Sequence, residues 1–195
     1  MSTCSLVIDI HGWWQPGTGR GSGAHLDALA HPDAEGIPEL PGRTVKGLLR
    51  DAVKRAEELR WIEEGLTESL FGREADREGN GSAPGALRIS SARLPDNERL
   101  WLASQAGQAA LRQLFTDLAS TAIDADTGSA RAASLRAIQV VLPLKLESRI
   151  ETLPGHELPN DWSETLRKAL PLIRAVGSGR SRGLGRATLN LEERP

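Results

Sequence analysis

From Thr44 onward, Val45, Leu48, Leu49, Ala52, Val53, Ala56 and Leu59 recur at spacings of three and four residues. That period puts them on one face of a helix, and an apolar helix face must pack against a second layer. Thr44 stands where an N-cap is expected. The layer it needs is written in short β-branched segments. Residues 4–11 form the first, 86–94 the second, 138–150 the third, with Pro143 marking a bulge or an edge position, and 184–191 the last. Asp161 with Glu164 three residues later has the form of a capping box, opening a helix through Leu166, Leu170 and Ile173 that Pro171 kinks or ends. Residues 105–118 can form a further helix. With that one set aside, the order is strand, helix, strand, strand, helix, strand. This is the order of an α+β, ferredoxin-like antiparallel sheet with helices on one face, also the scaffold of RNA-recognition-motif domains. Residues 13–36 hold five glycines and two prolines, too broken for a regular element, and read as a long loop.

A chain of 195 residues is expected to fold as one domain with loop insertions and to bury its own core. The net charge of −2 argues against holding nucleic acid by bulk attraction, and leaves room for a local basic surface. Cys4 is the only cysteine, which excludes an internal disulfide and a cysteine-cluster zinc site and fits a reducing compartment. No apolar run approaches the length of a membrane span and no signal-peptide pattern opens the chain, so no membrane partner and a cytoplasmic location are expected.

Two glycine-flanked basic segments lie near opposite ends, Pro41-Gly42-Arg43-Thr44-Val45-Lys46-Gly47-Leu48-Leu49-Arg50 and Gly177-Ser178-Gly179-Arg180-Ser181-Arg182-Gly183-Leu184-Gly185-Arg186. Glycines bare the backbone so that successive N–H groups can face a phosphate oxygen, and the cations supply charge. Lys46 and Arg50 fall near a helix N-terminus, where the dipole also favours an anion. A glycine inside a helix costs about 1 kcal/mol relative to alanine, so Gly47 implies a close approach, by a packed helix or by a ligand backbone. The second segment precedes a strand, unlike a dinucleotide fingerprint, and lacks the kinase-type P-loop ending. It reads either as a turn or as a phosphate-binding loop carried by Gly177, Gly179, Arg180, Arg182 and Gly183. RNA is the polyphosphate these features suit.

On these motifs the chain resembles the RAMP superfamily of CRISPR RNA-guided effector subunits, in particular the repeated backbone subunit of type III complexes. The resemblance rests on Pro41 to Arg50, departing at Arg43 where a small residue is usual, on Leu70-Phe71-Gly72 before a glycine-rich approach to a strand, and on Gly177 to Gly185. It implies a subunit that binds guide RNA, meets target RNA, and stacks with copies of itself and related subunits in a helical assembly. It also implies a thumb-like hairpin that interrupts the guide–target duplex. Residues 121–136, polar around Asp126-Thr127-Gly128, are its candidate, with Arg131 and Arg136 as RNA contacts; an ordinary surface hairpin is the alternative.

Slicing members of the family carry an aspartate in the loop before the proline–glycine turn, and Asp27, 15 residues before Gly42, occupies that place. A carboxylate there would hold a divalent ion, Mg²⁺, against the scissile phosphate, or orient the ribose 2′-hydroxyl for attack, with His25 assisting proton transfer. Alternatively Asp27 forms a turn and the subunit is purely structural. A third reading is a guide-processing ribonuclease using His25 or His31. Asp33 reads as a turn residue. Arg20 lies in the glycine-rich loop after Trp13 and Trp14, and these aromatics either stack on an unpaired base or divide between the core and a neighbouring subunit.

Overall fold

The computed structural model describes residues 3–17, 28–73, 75, 81–156, 158 and 161–193. Its centre is a four-stranded antiparallel sheet made of β1 (Thr3–Ile10), β4 (Leu87–Ile89), β7 (Lys145–Thr152) and β8 (Ala187–Glu193), in the order β4-β7-β1-β8. The two crossover helices are α1 (Gly42–Glu58), after β1, and α5 (Trp162–Ala169), between β7 and β8. This is the ferredoxin-like arrangement that the segment order predicts. The register explains the core. Leu6 lies opposite both Ser148 and Leu191, and Ile8 opposite both Leu146 and Leu189, so one pleat face presents an apolar row. Cys4, Leu6, Ile8, Ile10, Leu146, Ile150, Leu189 and Leu191 share one buried cluster with Val45, Leu49, Ala52, Val53 and Ala56 of α1 and Leu166 and Ala169 of α5. Each leucine, isoleucine or valine among them stabilises the fold by about 1.5–3 kcal/mol, and each alanine by less. Among the described residues no helix is long and apolar enough to cross a membrane.

The segments between these elements depart from the sequence expectations in four places. Helix α1 starts at Gly42 with Pro41 at the N-cap, and Thr44 is already inside, its N–H donating to Pro41 O. Proline, with φ preset near −55°, enters the helix without a side-chain cap. Residues 105–118 do not form one helix. They follow α3 (Asp96–Ala103) and hold α4 (Gln108–Gln113) and then the start of β5 (Phe115–Ser120). Gly107 lies so close to Trp101 O and Leu102 Cα that α3 and α4 meet at a tight corner. The expected strand over 138–150 is two strands. Its first part belongs to β6 (Arg136–Val141), which pairs with β5 outside the main sheet, and Pro143 separates it from β7. The Asp161–Glu164 capping box does not form side-chain bonds; Asp161 closes the first turn through its backbone carbonyl, which accepts from Glu164 N and Thr165 N. A small helix, α2 (Leu66–Phe71), packs beside α1, and the two-residue pair β2 (Gly72–Arg73) and β3 (Ala83–Pro84) adjoins α2.

Before α1 the chain crosses the sheet edge as a string of single bridges, Pro32 with Pro38 and Leu40 with Ala92. Asp33 holds this crossing. Its side chain is 2% exposed, accepts from Ile37 N at 2.9 Å and Glu35 N at 3.0 Å, and pairs with Arg99 at 2.9 Å. It is a turn residue, as its sequence context predicts. Burial alone would raise this carboxyl, but the backbone N–H of Ile37 and the Arg99 guanidinium overcome that and hold it below its ordinary value. A depressed folded value means that its contribution is present above the ordinary carboxylate range and is lost as pH falls through the folded value. Asp33→Asn is therefore expected to be less stable than wild type at pH 7, with the difference shrinking below about pH 4. Urea unfolding at pH 7, 5 and 3 tests this; a difference independent of pH removes the ionic part of the argument.

Candidate nucleic-acid interface

The N-terminal half of α1 is built against the β4 edge. Gly42 N–H donates to Ser91 Oγ at 3.3 Å, and a Cβ on Gly42 would stand 2.6 Å from Ile89 O and 2.9 Å from Ser90 C. Only glycine lets the helix start this close to the strand. With that end fixed, Arg43, Gly47, Arg50 and Lys54 follow at spacings of four, three and four, a single stripe on the side away from the core, and Lys46 flanks it. Lys54 extends the stripe by one turn beyond the residues singled out from the sequence. The first turn holds no acidic residue and carries Arg43. Cations at a helix N-terminus oppose the dipole, so this end gains no helix stability from its charges and is open to an external anion. Gly47 is exposed, and among the described residues nothing lies within 4 Å of where its Cβ would be. Among the described residues no packed helix accounts for this glycine.

The C-terminal segment lies alongside. Its loop is pinned to the residues after β1, Ser178 N donating to Gln15 O and Gly185 N to Trp13 O, and is closed on itself by Val176 N donating to Gly185 O. Gly177, Gly179, Gly183 and Gly185 all have φ between 71° and 87°, and a Cβ on Gly177 would meet Gln15 O at 2.5 Å. The fold itself thus requires these glycines, and the case for a ligand shifts to what the loop displays. Between the left-handed Gly179 and Gly183, residues Arg180–Arg182 make a single 3-10 turn with all three side chains exposed. Arg180 and Ser181 share a cleft of about 440 Å³ with Leu48, Asp51 and Arg55 of α1. Arg55 is held there by Asp51 at 3.2 Å and by Leu172 O at 2.9 Å. Leu48 of the first basic segment and Arg180 of the second therefore line one groove, together with Asp51 and Arg55 of α1.

Residues 121–136 are the far part of a hairpin whose paired stem, β5 and β6, covers 115–120 and 136–141. Its far part is ordered by short polar bonds: Asp124 Oδ1 accepts from Asp126 N and Thr127 N, and Ser134 Oγ accepts from Ala122 N. The Thr127 N–H and hydroxyl hold the Asp124 carboxyl below its ordinary value. Arg131 and Arg136 are exposed on this hairpin, apart from the α1 stripe. Its base is fixed by Trp14, fully buried, whose Nε1 donates to Leu142 O at 2.9 Å and whose backbone exchanges two bonds with Val141. Trp13 is 46% exposed next to the glycine loop. The tryptophan pair is thus divided, Trp14 to the core and Trp13 to the surface.

Arg20, His25 and Asp27 lie outside the described residues. The residues that bracket them are placed: Gly17 bridges Ala30 and sits against Ser178 Oγ, and Ala28 bridges Ile138 at the base of the hairpin. His31 lies 4.0 Å from Glu39, which is bound by Arg93 at 2.6 Å. Among the described residues no three of His, Cys, Asp and Glu gather in a way that could hold a metal. The sheet face opposite the helices offers no stacking platform either. It carries Ser5, Val7 and Asp9, Lys145, Glu147 and Arg149, and Thr188, Asn190 and Glu192, and the four strands contain no aromatic residue. Whatever this fold binds, it does not bind by the aromatic sheet surface of an RNA-recognition motif.

The family model described as RAMP superfamily matches residues 16–188. No curated protein sequence matches the chain. Among solved structures, a chain of the type III-B Cmr-beta complex bound to cognate target RNA, determined by cryo-EM, is similar at a TM-score of 0.72 with 10% identity, over 98% of this chain and 97% of that one. A chain of the apo state of type III-B Cmr-beta is similar at 0.64 with 11% identity, over 97% of each.

Proposed function

The chain belongs to the RAMP superfamily, and on that premise we propose that it is a guide-RNA-binding backbone subunit of a type III effector complex, which stacks with copies of itself or related subunits and cleaves target RNA with Asp27. The similarity to chains of a type III-B complex that binds target RNA supports the assembly part of this reading. The observation that carries the RNA part is Gly47. A helical glycine with open space around it, in a stripe of Arg43, Arg50 and Lys54, has no use in the isolated fold and lets a sugar–phosphate backbone lie against the helix. The cleft shared by Arg55 and Arg180 continues this surface across the loop.

Asp27 sits in sequence next to Ala28, which is anchored on the hairpin base. In the proposed reaction its carboxylate takes the proton from the ribose 2′-hydroxyl, whose oxygen forms the new bond to phosphorus while the bond from phosphorus to the 5′-oxygen breaks. His25 returns a proton to that leaving oxygen. Mg²⁺ suits such a site because it binds through one or two carboxylates together with phosphate oxygens and water, and when bound it neutralises developing charge on the phosphate.

Gly47→Ala tests the RNA part because stability and affinity move in opposite directions. Alanine fits the helix and is expected to raise stability by about 0.5–1 kcal/mol. The added methyl is expected to weaken binding of single-stranded RNA by about tenfold, and Gly47→Leu more. Thermal unfolding and fluorescence anisotropy on the same preparations read both quantities. Unchanged affinity in Gly47→Leu sinks the close-approach argument.

A further inference from the structure

On the far side of the glycine loop from the α1 groove lies a second cleft, of about 410 Å³, between the end of α5 and the edge strand β8. Its polar lining consists of His11, Arg174, Arg186, Thr188 and Asn190, and no carboxylate lines it. Both arginines are exposed, and among the described residues neither is in an ion pair. They are held on a rigid rung: Ala175 bridges Arg186, Ala187 N donates to Arg174 O at 3.0 Å, and His11 N donates to Arg186 O at 2.8 Å. The His11 ring is fixed in turn by Thr188 Oγ1 at 2.8 Å from Nε2. Arg174 lines both clefts, so the cations Arg55, Arg180, Arg174 and Arg186 follow one another across the loop.

We propose that the Arg174–Arg186 cleft is a second phosphate-binding site, which takes the next backbone phosphates of the RNA strand as it passes over the glycine loop. Two guanidinium forks with hydroxyl and amide neighbours match phosphate oxygens, and they outnumber the one carboxylate beside the cleft, Asp9, which lies 3.9 Å from His11 Nδ1. The backbone that carries the arginines is already fixed by these bonds, so binding has to order only the two side chains. An acidic segment of a neighbouring protein is the competing occupant. The continuity of the cation track with the α1 groove favours RNA.

This inference rests on the RNA-binding reading above, and one experiment separates their failures. Affinity of the full-length chain for a single-stranded RNA is measured by anisotropy across a potassium chloride series. Each neutralised phosphate contact steepens the logarithmic salt dependence by about 0.7 for single strands, so R174Q/R186Q is expected to flatten the slope by about 1.4. R174K/R186K, which keeps the charge, should restore most of it, whereas a purely structural role would leave the lysine pair as impaired as the glutamine pair. A normal wild-type slope that R174Q/R186Q leaves unchanged overturns the second site alone, and loss of association with neighbouring subunits in that variant then assigns the cleft to a protein. A wild-type chain without salt-dependent affinity overturns both readings.

Discussion

Trp14→Ala is expected to lower stability by about 4–6 kcal/mol and the unfolding midpoint by about 8–24 °C. Truncating a buried tryptophan costs about 3–5 kcal/mol through lost transfer energy and the cavity left behind. Trp14 has no exposed surface and belongs to the main core cluster. The substitution also strands Leu142 O, which accepts from Nε1 at 2.9 Å, for about 1 kcal/mol more. Against the 5–15 kcal/mol that keeps an ordinary domain folded, this is a large fraction, and about 2–4 °C per kcal/mol sets the thermal shift for a chain of this size. The loss should concentrate at the hairpin base, because the Trp14 backbone exchanges bonds with Val141. Amide exchange in β5 and β6 should therefore accelerate before that in β1 and β7. Trp13→Ala, at an exposed position, should stay within about 0.5 kcal/mol of wild type. Equal destabilisation by the two substitutions would contradict the division of the pair.

That division marks where sequence reading stops. Two adjacent tryptophans after a strand differ only in which side of the backbone they take, and this is set by partners at positions 141, 142 and 185, far along the chain. The α1 face was legible because seven apolar residues at helical spacing all report on one neighbour, the sheet, and six of them are buried. Only Leu59, one residue past the helix, is exposed. The stretch 138–150 misled because β-branched residues do not say which sheet they join; Pro143 was the local signal that the ladder breaks, and β6 and β7 part on either side of it. The C-terminal glycines suggested a ligand, but their φ values follow from docking against Gln15 and Trp13, a tertiary requirement that composition hides. Gly47 went the other way: sequence left helix packing open, and among the described residues the space above it is empty. Arg55 and Arg174 escaped notice because each lies outside a glycine-flanked motif and gains meaning only from the groove it lines.

In an assembled complex, Asp27→Ala is expected to reduce cleavage at the site this subunit serves by on the order of 10²–10⁴-fold, the usual contribution of a positioned proton acceptor, with RNA affinity changed less than twofold. Position supports the assignment. Ala28, the next residue, is tied to the hairpin base by its bridge to Ile138, by Gln139 N donating to its carbonyl at 2.9 Å, and by Gln15 Nε2 at 3.4 Å from the same oxygen. Gly17, at the other end of that segment, abuts Ser178 of the glycine loop. Gly17 and Ala30 bridge each other, so both ends of the segment that carries Asp27 are fixed between the glycine loop and the hairpin, where the proposed reaction needs that carboxylate. Asp27→Asn should lose as much as Asp27→Ala, because the amide cannot accept the proton, and His25→Ala should lose less, since water can supply a proton to the leaving oxygen. Cleavage unchanged in both Asp27 variants would leave a structural RNA-binding subunit. A specific cut of repeat RNA by the isolated protein in a chelator, abolished by His31→Ala, would instead move the chemistry to guide processing.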